Sequence, residues 1–414
     1  MWHIVIAFLK IIVYNVTKIL QRGVHYMNTF GKIIMNPSEE YSEKKRKWQG
    51  VPSIEKTGKR LWATWFSGGK MEPSMKNYAI VAYSDDDGKT WTEPAFVIDG
   101  KKEYKYRIMD PELCLDNRGR LWLYWCKDIY SEEAKETDYT SEGRDITEFY
   151  FVHLEQWGMY CENPEADEPV WSEPQFMCKG FAKNKMEILD NGRWLFSLYD
   201  SKGDDTFCIN FAVSDDEGKT FSETEKIVKA EKGFCEPMTV KLNDGTLWCL
   251  IRTYTGYLYE SFSKDNGKSW TTPEKSDIPN PSTRFYIGRL KSGELMLINT
   301  PSDKFFDRNK LVVSLSEDEG KTWKYDFLID DRQLVSYPDA ALDDDGNVYI
   351  IYDCQRDNRY MIDENDPMKS NSAKEILYAK ITVEDIKAGK LVSPDSRLKQ
   401  IISKVNYSSR ELDK

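Results

Sequence analysis

Six times along the chain a short polar turn leads into a run dominated by aromatic and aliphatic residues. The stretches are KTGKRLWATWF, DNRGRLWLYWC, LDNGRWLFSLY, LNDGTLWCLIR, LKSGELMLINT and LDDDGNVYIIYD, starting near residues 56, 116, 189, 242, 290 and 342. Each predicts a hairpin: a turn that accepts positive φ or Asx bonding, then a buried strand. Four further apolar runs, YAIVAYS, INFAVS, YLYESFS and LVVSLS, end in eight-residue turns: SDDDGKTW at 84, SDDEGKTF at 214, SKDNGKSW at 263 and SEDEGKTW at 316. Their shared form, Ser-x-Asp-x-Gly-x-Thr/Ser-Trp/Phe, predicts a turn held by Ser, Asp and Thr hydrogen bonds and closed by an aromatic plug. One hairpin of each kind makes a four-stranded unit of about 40 to 60 residues, the scale of a propeller blade.

Six such units predict an all-β chain, a six-bladed β-propeller over residues 39–395, with an N-terminal extension over 1–38 and a C-terminal tail over 396–414. Units two and six lack the octapeptide, and unit two carries the acidic insertion SEEAKETDYTSEGRDITEFYF, which reads as a surface loop. Helices are expected only over residues 5–20 and in TVEDIKAG near 382. Radial sheets leave few exposed strand edges, so a monomer is expected.

Charge narrows the partners. The 414-residue chain carries a net charge of −11, which argues against a nucleic-acid groove but leaves room for a small anion held by local arginines. Thirteen tryptophans and 24 tyrosines suit both a sheet-rich core and a site that stacks on sugar rings. The eight cysteines form no CxxC pair and several sit in apolar runs, so they read as core residues in a reducing compartment, cytoplasmic rather than secreted. His3, His25 and His153 have no metal-ligand spacing with the cysteines or acids, and no Gly-rich phosphate loop occurs, so neither metal nor cofactor is expected. The segment WHIVIAFLKIIVYNV is apolar but interrupted by Lys10 and too short to span a bilayer, which leaves membrane anchoring or export open.

The four octapeptides resemble the Asp boxes, or BNR repeats, of the sialidase superfamily. That resemblance implies a six-bladed propeller with the boxes on its rim, away from the reaction site. It also implies a site: CEPMTVKLNDGTLWCLIR supplies Glu236 and Arg252, RNKLVVSLSEDEGKTW supplies Arg308 and VSYPDAALDDDGNVYIIYD supplies Tyr337, in the order exo-sialidases use. The chemistry is coherent. An anomeric carbon that bears a carboxylate repels a carboxylate nucleophile, whereas a neutral tyrosine whose proton passes to a glutamate avoids that repulsion. An unperturbed tyrosine titrates near 10, so a base and neighbouring cations are needed, and arginine forks suit the substrate carboxylate.

The match breaks at blade one, where the superfamily's first carboxylate-binding arginine is replaced by KWQGVPSIE, with Gln49 and Gly50 at its place. The following loop, SGGKMEPSMKNY, offers Glu72 where an acidic Asp is usual. Replacements are expected from YRIMDPELCL, with Arg107 and Asp110, and from Arg284 in PSTRFYIGRL. The resemblance therefore implies an exo-glycosidase acting on a terminal acidic sugar, with Tyr337 as nucleophile, Glu236 as its base and Asp110 as acid. Arg252, Arg308, Arg107, Arg284 and Gln49 are the expected substrate ligands. A lyase acting on uronate-bearing glycans and a non-catalytic glycan-binding propeller are the alternatives.

Overall fold

The computed structural model describes residues 30–69, 72, 74–100, 106–130, 151–202, 206–224, 233–356 and 374–405. The helix expected over 5–20, the acidic insertion through residue 150, His3 and His25 lie outside the described residues, as does the side chain of His153. Six antiparallel sheets follow one another along the chain, each built from consecutive strands. Their inner strands are Gln49–Thr57, Tyr106–Leu115, Glu187–Ile188, Cys235–Lys241, Tyr286–Arg289 and Val335–Leu342. Apolar clusters join blade one to two, two to three, and four through six. Two others join blade three to four and blade six back to one. The sheets thus form a ring, and the protein is a six-bladed β-propeller.

The ring extends past the boundaries expected from sequence. Lys32–Ile34 pairs with the outer strand of blade one, and Arg397–Val405 is the outer strand of blade six. The latter read as a tail because its charged residues mask the alternation, although Ile402 and Val405 are buried. The short helix expected near 382 is present as Val383–Ala388, with Thr382 and Asp385 forming a reciprocal cap and Gly389 closing it in the left-handed region. All eight cysteines are buried and none is disulfide-bonded. Among the described residues no helix is long and apolar enough to cross a membrane.

The four octapeptides adopt one turn. In the first, Asp86 Oδ1 accepts the Thr90 amide at 2.8 Å, its Oδ2 accepts the Thr90 hydroxyl at 2.7 Å, and Ser84 Oγ accepts the Gly88 amide at 2.9 Å. The same bonds recur around Asp216, Asp265 and Asp318. These bonds hold each aspartate well below the ordinary carboxylate range, at about 2. The turns also clamp neighbouring blades: Asp87 takes Lys380 and Arg397 of blade six, and Glu319 takes the Asn243 amide of blade four as well as Arg289 of its own blade. Their role is architectural.

A second repeat shapes the inner strands. Val51, Asp110, Glu236 and Tyr337 each precede a proline and each have positive φ, at 56°, 46°, 47° and 54°. Each lies at a register shift between the first two strands of its blade. Proline lacks the ladder donor, so it fits a bulge better than a regular central strand, and a bulge re-aims the side chain beside it. The residue before proline turns toward the mouth of the ring, while the one after it, Ser53, Glu112, Met238 or Asp339, continues the inner strand. Left-handed backbone at four non-glycine residues costs roughly 1 to 3 kcal/mol each and persists only where surrounding contacts over-determine it.

Candidate active site

Two of these bulges bring Glu236 and Tyr337 together across the ring. The Tyr337 hydroxyl donates to Glu236 Oε1 at 2.8 Å, and Arg252 Nη1 donates to Glu236 Oε2 at 2.5 Å and to the Tyr337 oxygen at 2.8 Å. The result is a closed triangle of acid, phenol and guanidinium. Ser282, itself at positive φ, holds two arginines: its hydroxyl accepts from Arg252 Nε at 3.2 Å and its carbonyl from Arg308 Nη2 at 2.9 Å. Arg308 lies with its guanidinium carbon 5.7 Å from the centre of the Tyr337 ring.

A third guanidinium is closer still. Arg356, at the end of blade six's second strand, stands 4.2 Å from the centre of the Tyr337 ring. Its route passes over Gly50, where a Cβ would lie 1.9 Å from Arg356 Cδ. Glycine at the position where the resemblance leads one to look for an arginine therefore makes room for an arginine from the adjoining blade. Asp353 steadies that arginine through Nε at 3.1 Å, and Glu72 pairs with Nη1.

A lysine completes the cluster. The inner strand of blade three is short, and the segment leading into it sends Lys183 to 3.2 Å from Asp110 Oδ2 and 3.6 Å from Glu236 Oε1. Burial by itself would push Glu236 up, but the charges of Arg252 and Lys183 and the bonds from Arg252 and Tyr337 outweigh it and hold the carboxyl at about 2. Burial raises the Tyr337 phenol above its ordinary value, with Arg252 opposing. The pair rests as carboxylate and phenol, with the phenol proton aimed at the carboxylate. Its environment favours transfer once a reacting group stabilises the phenolate.

Of the other expected residues, Asp110 stays with this cluster, whereas Arg107, Arg284 and Gln49 lie outside it. Asp110, expected as the acid, is fully buried and is the counter-charge of Lys183. Arg107 turns away from the mouth and bridges two blades, donating to Asp128 of its own blade at 2.8 Å and to Asn77 of blade one at 3.1 Å. Arg284 lies on the ring axis, in a fork onto Glu112 at 2.6 and 3.3 Å and 4.0 Å from Asp339. Burial drives Glu112 well above the ordinary carboxylate range against the pull of Arg284. Lys185 joins this layer at 3.1 Å from Glu55 and 3.3 Å from Asp339. Gln49 does not face the mouth: its amide donates to the Lys374 carbonyl at 3.0 Å and its oxygen accepts from Ser403 at 3.1 Å, tying blade one to blade six. Strand alternation explains this, because the bulge reverses the facing of residues on either side of it.

Sequence reasoning missed Arg356, Lys183 and Ser282. The X-Pro dipeptides were a usable signal for where the mouth lies, but none of these three residues belongs to one. Among the described residues no group of three or more His, Cys, Asp or Glu side chains is placed to hold a metal ion.

Comparison with known proteins places this geometry in context. A curated relative, the anhydrosialidase of Macrobdella decora, is 25% identical over 181 residues, which cover 39% of this chain and 23% of that protein. In structure the chain is similar to a Hadza microbial sialidase, with a TM-score of 0.59 and 17% identity over 75% of this chain and 64% of that one. It is likewise similar to the intramolecular trans-sialidase of Ruminococcus gnavus, with a TM-score of 0.56 and 17% identity over 77% and 92% of the two chains. At such identity the structural likeness speaks for the fold alone. The BNR repeat-like domain matches residues 59–350, and the chain belongs to that family, within the sialidase and BNR-repeat superfamily of six-bladed propellers.

Proposed function

We propose that the protein is a glycoside hydrolase that releases a terminal acidic sugar, sialic acid or a close relative, from a glycan with retention of configuration. The observation that carries this reading is the Tyr337 to Glu236 hydrogen bond at 2.8 Å, bridged by Arg252. A binding module has no need of a base aligned on a buried phenol. In the proposed reaction Glu236 takes the phenol proton as the Tyr337 oxygen bonds to the anomeric carbon, and the bond from that carbon to the leaving oxygen breaks. The departing oxygen takes a proton from solvent; water then attacks the glycosyl-tyrosine and gives one proton back to solvent, the bond from the anomeric carbon to the phenol oxygen breaks, and the proton on Glu236 returns to that oxygen. Arg252, Arg308 and Arg356 surround the ring within 6.0 Å of its centre, where they stabilise the phenolate and meet a substrate carboxylate.

The test is incubation of the protein with sialosides and uronate-capped oligosaccharides, following free sugar by mass and unsaturation by ultraviolet absorbance. Release of an intact acidic sugar, lost in Tyr337→Phe, is the expected result. An unsaturated product would replace hydrolysis by elimination. Undiminished release by Tyr337→Phe would overturn the nucleophile.

A further inference from the structure

The two carboxylates on Arg356 are held very differently. Asp353 is fully buried and already committed: it accepts the Val51 amide at 2.9 Å and the Ser336 hydroxyl at 2.6 Å. Glu72 approaches from the loop between the second and third strands of blade one, and its side chain is 18% exposed against 1% for Arg356. A buried guanidinium keeps an anion beside it, because an uncompensated charge in that setting is strongly destabilising. The anion on the exposed edge is the one that can be exchanged.

Among the described residues, charge around Tyr337 is balanced. Lys183, Arg252, Arg308 and Arg356 face Asp110, Glu236, Asp353 and Glu72. A ligand carboxylate entering among the arginines adds a fifth negative charge, and of the four carboxylates Glu72 is the one that reaches solvent by a short path. Asp110, Glu236 and Asp353 are all buried.

We propose that Glu72 is an internal stand-in for the substrate's carboxylate: it occupies Arg356 while the site is empty and yields Nη1 to the carboxylate of an anionic sugar. The proposal rests on the acidic-sugar reading above and adds the group that enforces it. A neutral sugar brings no anion to replace Glu72, so the exchange selects for carboxylated sugars. The same competition weakens binding of those sugars relative to a site without Glu72.

Calorimetric titration of the whole chain with N-acetylneuraminic acid, its neutral methyl ester and D-glucuronate tests this, comparing wild type with Glu72→Gln. The acid that binds wild type is expected to bind Glu72→Gln about tenfold more tightly, equivalent to about 1.4 kcal/mol. The methyl ester is expected to gain less than twofold. Unchanged or weaker binding of the acid by Glu72→Gln, with wild-type circular dichroism, overturns the stand-in and leaves the acidic-sugar reading in place. Absence of binding by any of these sugars to either protein overturns both. Should Glu72→Gln fail to fold, Glu72→Asp takes its place: it keeps the charge but shortens the reach, and a tightening of a few-fold is expected, with no change counting against the proposal.

Discussion

Glu236 should make the protein's stability depend on acid in a way that a single substitution removes. Its carboxyl ordinarily titrates at 4.5 and is held at about 2 in the fold. The native state therefore binds that proton less well than the unfolded chain, by about 3.4 kcal/mol. The sign follows: a depressed carboxyl contributes stability that is fully present above 4.5 and is lost as pH falls toward 2. Glu236→Gln mimics the protonated side chain in size and lacks its charge. The wild type is thus expected to exceed Glu236→Gln by roughly 3 kcal/mol at pH 7 and by about 1.4 kcal/mol at pH 3, the other carboxylates cancelling in the difference. Urea denaturation of both proteins at each half unit from pH 7 to pH 3 measures this gap. Stability curves that run parallel through the window would refute the claim that Arg252 and Lys183 keep Glu236 ionised, and with it the basis for calling Glu236 a ready base.

Other outcomes follow from the same contacts. Gly50→Ala drives a methyl into Arg356 Cδ, so it should displace that arginine and weaken binding of an acidic sugar about tenfold, the scale of one charged hydrogen bond, as titration would show. Arg284→Met leaves Glu112 and Asp339 buried without that guanidinium and is expected to lower stability by about 3 to 5 kcal/mol; a smaller loss in denaturant would mean that Lys185 alone neutralises the axis. Gly320→Ala forces a side chain into a turn at φ 81° and against Trp248 of the preceding blade, so the melting temperature should fall by an amount corresponding to at least about 1 kcal/mol while turnover by the folded protein stays unchanged.

The sequence by itself determined the blade, because everything that makes a blade is local. An Asp-box turn is closed by residues at most four apart, such as Asp86 and Thr90, and its hairpin strands announce themselves by aromatic and β-branched runs. Glu236, Arg252, Arg308 and Tyr337 were legible through resemblance, since each keeps its place relative to a strand start or a box. The tertiary structure decided what else reaches the mouth. Gly50 and Arg356 sit at opposite ends of the chain and meet only because blade six closes against blade one, and nothing local marks Arg356 as more than a residue after a strand. Gln49 looked like a ligand for the converse reason: its place in the chain was right, but the bulge at Val51 sends its side chain toward Lys374 and Ser403. Lys183 arrives from a segment with no repeat signature, and its consequence for Glu236 depends on a separation of 3.6 Å. Hydrogen-bonded turns and strand periodicity act over a few residues and can be read along the chain. The charge balance of a site gathered from six blades depends on through-space distances, and those exist only once the ring has closed.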